Sequence, residues 1–507
     1  MRYLLHPLLF AATLAAPPAV EAALQGSAPT DARLAALDSF VTRAFALDVT
    51  RGLGMAVVQG DRVIYSSGFG YADIEADRRV DPESTLFYIA STSKSFTAFL
   101  ATRLDHRGEL DLDAPISRYL PRLRLRVPLS ADDITLRDLL THTHGIASDG
   151  LHRVVVRTAY TGVYTDSLAI DLLADYPPSP TGRAYNYGNL GYNIAGLVID
   201  GVMERGWKDV MSDEVFRPAG MEHTTARTTG IDRGRLAMPY GAAEPQGYRR
   251  LHFAKEDANM HAAGGHLTTV MDLTRWLEVH MNAGRIDGEE VFPAEVVAET
   301  HRQQATQDRE FTYFHRYGWG LGWDLGTYGG DTLIHRFGGF PGFRSHVSFM
   351  PRHGIGVVAL VNGGLGWRLA DLVAAYAYDL LRDVPDLDTK YERLLAEYEG
   401  RVEEARHRIA EDREERAARQ EPLPHPFSAY AGTYENRELG RMEWRVVDDT
   451  LLVEMGVMRG EAEVYDADAN QLRIELRGRG EVVFLFDHDE RAAALRYMGR
   501  EFTRVGG

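Results

Sequence analysis

The chain has 507 residues and a mass of 56.6 kDa, with 45% apolar and 25% charged residues. That apolar content supports a sizeable core and excludes disorder or fibrous architecture for the bulk of the chain. A formal charge of −17 opposes general attraction to nucleic acid or to anionic membrane surfaces, and the absence of cysteine removes disulfides, Cys-ligated zinc, iron–sulfur clusters and thiol nucleophiles.

Met1-Arg2, the apolar stretch from Leu4 to Ala16 and the small residues around Val20-Glu21-Ala22 predict a signal peptide over residues 1–22, and with it export to the periplasm or the exterior. The stretch is short for a bilayer span, and no other run reaches the roughly 18 to 20 apolar residues that a membrane helix needs. Met55 to Val58 and Val63 to Ser67, separated by Gln59-Gly60-Asp61-Arg62, predict an antiparallel hairpin. A helix is expected after Ser91, with Phe96, Phe99, Leu100 and Leu104 on one face and Gly108 at its stop. Thr332 to Phe337, Arg344 to Phe349 and Ile355 to Val361 predict strands. Strands at both ends of this region suggest one sheet built from both, with a helical domain inserted between them. From Tyr391 to Gln420 the chain is dense in Glu and Arg, with Leu394, Tyr398, Val402, Ala405 and Ile409 at helical spacing, so a solvated helix with one apolar stripe is expected. Beyond Pro426 the alternation of Leu472, Ile474 and Leu476, with Asp448-Asp449 as a turn signal, predicts a small β domain.

The strongest chemical signal is Ser91-Thr92-Ser93-Lys94. At a spacing of three on a helix the hydroxyl and the ammonium share a face. Serine needs a neighbouring base to become a nucleophile, and a lysine whose pKa is lowered by burial can contribute to that task, whereas arginine stays protonated. Only four of the 56 basic residues are lysines, Lys94, Lys208, Lys255 and Lys390, leaving 52 arginines. That bias sharpens the reading of Lys94, while the other three stand in polar surroundings and read as surface residues.

In this context the sequence resembles the serine β-lactamase and penicillin-binding protein superfamily, in particular the branch with class C β-lactamases, D-aminopeptidases and D-alanyl carboxypeptidases. The resemblance covers roughly residues 32 to 384. It rests on Phe87 to Leu100, the segment Ile134 to Thr143, Tyr187-Gly188-Asn189, Ala263-Gly264-Gly265 and Gly338-Gly339-Phe340-Pro341-Gly342-Phe343. It implies an α/β (α+β) fold of the β-lactamase/transpeptidase type: an antiparallel sheet with flanking helices and an inserted helical domain. It also implies a small C-terminal lipocalin-like β-barrel, for which Tyr430-Ala431-Gly432-Thr433-Tyr434 is the one matching motif. The expected division is a leader over 1–22, a hydrolase domain over 23–383, a charged helix and linker over 384–421 and the β domain over 422–507.

By the same resemblance Ser91 is the nucleophile, Lys94 and Tyr187 handle its proton, Asn189 binds substrate, and the N–H groups of Ser91 and Gly339 form the oxyanion hole. A register shifted to Tyr185 and Asn186 is the alternative for the second motif. The family's Lys-Thr-Gly or His-x-Gly strand is here Arg336-Phe337-Gly338, preceded by His335. Period two places Arg336 and His335 on opposite faces, so one of them lines the site. Arg336 is favoured, as a carboxylate clamp, and Phe337 suggests a narrower, more apolar site. His142 and His144 have metal-pair spacing but no partner carboxylate, so no metal is expected. No phosphate-loop ending, Gly-x-Ser-x-Gly elbow or His-Glu-x-x-His occurs, and no cofactor is expected. The expected partner is a small-molecule or peptide substrate, handled by hydrolysis through an acyl-enzyme. The alternatives are a β-lactamase proper, or a penicillin-binding or sensory protein that acylates with little turnover.

Overall fold

The computed structural model describes residues 31–147, 171–244, 247–419, 421–476 and 479–506, so the expected leader over 1–22 lies outside the described residues. Strands β1 (Gly52–Gln59) and β2 (Arg62–Asp73) form the expected hairpin, turning at the left-handed Gly60 (φ 65°). A short strand β3 (Arg78–Arg79) pairs with β2. The second strand group comprises β4 (Ala305–Phe311), β5 (Phe314–Trp319), β6 (Asp324–Tyr328), β7 (Asp331–Phe340), β8 (Phe343–Met350) and β9 (Ile355–Val361). These join one nine-stranded antiparallel sheet in the order β4-β5-β6-β7-β8-β9-β1-β2-β3. The two ends of the region meet where β1 pairs with β9, from Leu53 opposite Val361 to Gln59 opposite Ile355. Both strands are buried on both faces, which explains their nearly continuous apolar runs.

Helices cover each face. On one side, helix α1 (Asp31–Phe45) supplies Leu37, Phe40 and Val41 to a core shared with the helix over Trp367–Leu381. On the other lie helices α2 (Ser93–His106), α3 (Leu190–Met203) and α4 (Val270–Met281). Helix α2 ends at the left-handed Gly108 (φ 70°), as its sequence predicts. Its apolar face is not its only buried face: Ser93, Lys94, Ser95 and Thr97 are buried as well. A helix enclosed on all sides can hold its polar groups away from water, and these carry the site.

The helix over Leu387–Ala418 is longer than its sequence pattern suggests. Its buried stripe is Tyr391, Leu395, Tyr398 and Val402, one position away from the expected Leu394. After Pro426, eight strands between Gly432–Asn436 and Arg500–Val505 close into a barrel. Asp448 and Asp449 both adopt positive φ in a two-residue hairpin turn. The barrel interior is packed with Tyr434, Met442, Trp444, Met455, Phe484 and Phe502, in keeping with eight strands enclosing about the volume their side chains fill. Among the described residues no helix is long and apolar enough to cross a membrane.

Candidate active site

Ser91 sits on a tightly held turn between the sheet and α2. The two residues Phe87–Tyr88 pair with Leu267–Thr268, and the Ile89 N–H donates to the His266 carbonyl at 3.1 Å. Ala90 then takes a left-handed conformation (φ 46°) that costs a non-glycine residue about 1 to 3 kcal/mol. A short 3-10 turn over Ala90–Thr92 leads into α2. Strands β7 and β8 pin this elbow. Arg336 Nε donates to the Ser91 carbonyl at 2.9 Å, Ser345 Oγ donates to the Ile89 carbonyl at 2.9 Å, and Thr92 Oγ1 meets Ser345 Oγ at 2.8 Å. Gly338 passes so close that a Cβ there would stand 1.9 Å from the Ile89 oxygen, so this approach requires glycine.

Lys94 is fully buried and donates to three oxygens: Ser91 Oγ at 3.1 Å, Asn189 Oδ1 at 2.7 Å and the Ala263 carbonyl at 2.8 Å. Burial pushes its pKa down to about 8, with the charge on Arg336 adding to the effect and Tyr187 opposing it. Asn189 stands at the N-cap of α3 but makes no capping bond with its side chain, which serves Lys94 instead. The Ala263-Gly264-Gly265 segment is held by Thr97 Oγ1, which donates to the Ala262 carbonyl at 2.6 Å.

Tyr187 completes the cluster. Its ring centre lies 5.1 Å from Lys94 Nζ and 5.0 Å from the Arg336 guanidinium, which donates to its hydroxyl. Burial alone would raise this phenol, yet Arg336 and Lys94 together hold it at about 8. Beneath it His142 packs 4.7 Å from the Tyr187 ring and 4.7 Å from Trp319, while Nδ1 accepts from the Gly188 N–H at 3.4 Å. Burial, then Lys94, keeps that imidazole well below its ordinary pKa and so neutral. Tyr185 packs on His142 and Trp319, and burial raises its phenol. Tyr187 is the tyrosine that faces the lysine.

Several sequence-based expectations need correction. Arg336 faces Ser91, but its guanidinium is engaged by the Ser91 carbonyl, by Asp324 Oδ2 at 2.8 Å and by Tyr187, so it anchors the elbow and polarises a phenol rather than clamping a carboxylate. His335 does not line the cleft. It is fully buried on the other face of β7, where Nε2 accepts from Arg316 Nε at 2.9 Å, and burial lowers its pKa to about 3. Phe337 shares that far face, stacked on His346 at 4.3 Å, so it does not narrow the site. The remaining lysines are not free surface groups. Lys255 is 1% exposed, Lys208 donates to the Asp257 carbonyl, and Lys390 donates to Asp379 at 2.5 Å. Among the described residues no group of His, Asp and Glu could hold a metal ion.

The sequence pattern gives no sign of Asp324 or Trp319. Asp324, 1% exposed, bridges Arg336 and Arg316 and balances one of their two charges. Trp319, whose Nε1 donates to the Leu140 carbonyl at 3.0 Å, forms a floor 5.0 Å below Arg336. Gly339 is set for hydrogen-bond donation by register. Phe340 opposite Phe343 closes the Pro341-Gly342 turn, so ladder bonds to β8 run at Phe340, Gly338 and Arg336, and the Gly339 N–H points the other way. There β6 has already ended its pairing, at Asp324 opposite His335. The Ser91 N–H lies in the first turn of its helix, where backbone donors lack intrahelical partners.

A serine–lysine–tyrosine cluster with its lysine buried, between an antiparallel sheet and a helical layer, defines a protein of the serine β-lactamase and penicillin-binding class. The beta-lactamase family model matches residues 37–379, and the chain belongs to that family. Protein flp of Staphylococcus aureus strain MW2 is 24% identical over 313 residues, 61% of this chain, and the chain spans only 59% of the length of that relative. Penicillin-binding protein 4 of Amycolatopsis lactamdurans is 28% identical over 359 residues, 69% of this chain and 84% of that one. The structure of the octameric penicillin-binding protein homologue from Pyrococcus abyssi superposes with a TM-score of 0.60 at 20% identity, over 94% of this chain and 100% of that one, a likeness of fold.

Proposed function

We propose that the chain is an exported serine hydrolase that acts through an acyl-enzyme on amides or esters, with D-amino-acid peptides or carboxylate-bearing acyl compounds as substrates. The observation that carries this reading is the Lys94 ammonium, buried and 3.1 Å from Ser91 Oγ, beside a tyrosine with a matching pKa near 8. Two groups of nearly equal pKa exchange a proton at little cost. Ser91 Oγ attacks the acyl carbon and its proton passes to the Lys94–Tyr187 pair, which returns it to the leaving group. Water then attacks the acyl-enzyme, the pair takes a proton from it and passes that proton to Ser91 Oγ as the acyl–oxygen bond breaks and the acid leaves. Arg336 stays charged throughout and stabilises the phenolate form of Tyr187. The Ser91 and Gly339 N–H groups hold the oxyanion, each worth about 3 to 4 kcal/mol of barrier. Export rests on the leader pattern in residues 1–22.

Intact-protein mass after exposure to a fluorophosphonate or a penicillin tests the mechanism. One adduct on the wild type and none on Ser91→Ala is the expected result, and an adduct that persists on Ser91→Ala removes the assignment. The relative named for penicillin binding favours a second reading, a protein that acylates and releases slowly. Persistent acyl-enzyme without product supports it, whereas rapid nitrocefin turnover identifies a β-lactamase proper.

A further inference from the structure

With Arg336 held by Asp324, Tyr187 and the Ser91 carbonyl, a substrate carboxylate needs another cation. Lys255 stands beside the cleft. Its Nζ lies 4.9 Å from the centre of the Tyr88 ring and 4.6 Å from that of Phe340. Tyr88 precedes Ser91 by three residues and Phe340 follows Gly339, so these two rings, edge to face at 4.9 Å, sit on the segments that carry the nucleophile and the oxyanion amide. Phe253 extends the aromatic wall, 6.3 Å from Tyr88 and 5.9 Å from Phe343. Aromatic faces stabilise an ammonium that water cannot reach, and burial, with Lys208 adding to it, lowers the Lys255 pKa to about 7. An ammonium so placed gains more from a carboxylate than a hydrated one does.

Lys255 also lines a cavity of about 190 Å³, several times the roughly 30 Å³ that one water occupies. The family domain contributes Arg233, Phe253, Lys255 and Glu256, and the barrel contributes Glu454, Arg459 and the turn at residues 456–458. The barrel is seated here by more than proximity. The His252 imidazole hydrogen-bonds the Val457 backbone, Ala254 packs into the barrel core, and Phe340 packs against the cores of both units. The cavity therefore lies between the Phe253–Glu256 segment of the family domain and the barrel, with three cationic residues against two carboxylates.

We propose that this cavity is the subsite for a carboxylate of the substrate, that Lys255 is its specificity-determining cation, and that the barrel turn at residues 456–458 forms its outer wall. The inference rests on the acyl-transfer reading of Ser91 but is tested apart from turnover. In the Ser91→Ala protein, calorimetric binding of p-nitrophenyl hydrogen succinate is compared with p-nitrophenyl butyrate, and of 4-acetoxybenzoate with phenyl acetate. The two pairs place the carboxylate on the acyl and on the leaving side. At least one carboxylate probe should bind tenfold or more tighter than its neutral partner, and Lys255→Met should erase that preference while sparing the neutral probe. Equal affinities within both pairs, or a preference that survives Lys255→Met, overturn the proposal. Should Lys255→Met fail to fold, Arg233→Gln combined with Arg459→Gln, both exposed on the rim, should weaken only the carboxylate probe by about threefold, and an unchanged ratio overturns it equally. Failure of the hydrolase reading shows elsewhere, as a wild type that takes no fluorophosphonate.

Discussion

The cleft and the barrel are both built on antiparallel strands, yet they treat charge in opposite ways. Around Ser91 the protein buries Lys94, Arg316, Asp324 and Arg336. Within the barrel strands the one charged residue that is buried among the described residues is Arg473, which bonds Glu475 at 2.9 Å and Asp412 of the preceding helix at 3.4 Å, outside the apolar interior. Taking an ion out of water costs several kcal/mol even after partial compensation. The cleft accepts that cost because burial lowers Lys94 while the charges of Arg336 and Lys94 lower Tyr187, so both reach about 8, and the barrel, with no such task, is filled with Trp444, Phe484 and methionines.

Variants that exchange one kind of interior for the other sharpen this contrast. Lys94→Arg keeps the charge and removes the proton acceptor, so kcat/KM on a hydrolysed ester should fall by about 10³-fold or more. Retained turnover would take Lys94 off the proton path. In the barrel, Trp444→Ala opens a cavity in an interior where the residue is 2% exposed, and denaturant unfolding should show a loss of about 3 to 5 kcal/mol. Ser91 labelling under native conditions should persist in that variant.

Arg336→Met tests the electrostatics by pH. In the wild type kcat/KM should rise with pH and level off near 8, as the Lys94–Tyr187 pair loses the proton that blocks it from accepting another. The Arg336 charge lowers both groups, so its removal should move that acid limb to higher pH, by about 1 to 3 units. A limb that stays in place would leave Arg336 only its anchoring role. The smallest effect is expected where charges are solvated. Arg416 and Glu463 tie the long helix to the barrel with side chains 28% and 41% exposed, and Arg416→Ala should cost less than about 1 kcal/mol and leave turnover unchanged.

Features that depend on neighbours along the chain are legible in the sequence itself. The hairpin at Gly60, the strands over 331–361, the Asp448-Asp449 turn and the helix after Ser91 follow from period and turn chemistry, and the Ser91–Lys94 pairing follows from helical spacing. Other features need the three-dimensional neighbourhood. Nothing local marks Asp324 as the counter-charge of Arg336, because their bond depends on where β6 stops pairing with β7. Nothing local shows that Arg336 is already engaged, or that Lys255, between Ala254 and Glu256, lies close to Tyr88 and Phe340. In the long helix Tyr398 and Val402 are buried as expected, whereas Leu395 takes the place of Leu394, because both are apolar and only packing chooses between them.

By itself the sequence determined the chemistry available to this protein: no thiol, few lysines, one of them three residues after a serine, and arginine elsewhere. The tertiary structure decided what each cation does. All four lysines occupy places where a compact ammonium meets carbonyls, a carboxylate or aromatic rings. Whether such a group is a base, an anchor or a reader of substrate charge depends on the water removed from around it and on the charges brought beside it, and both are set by residues distant in the chain.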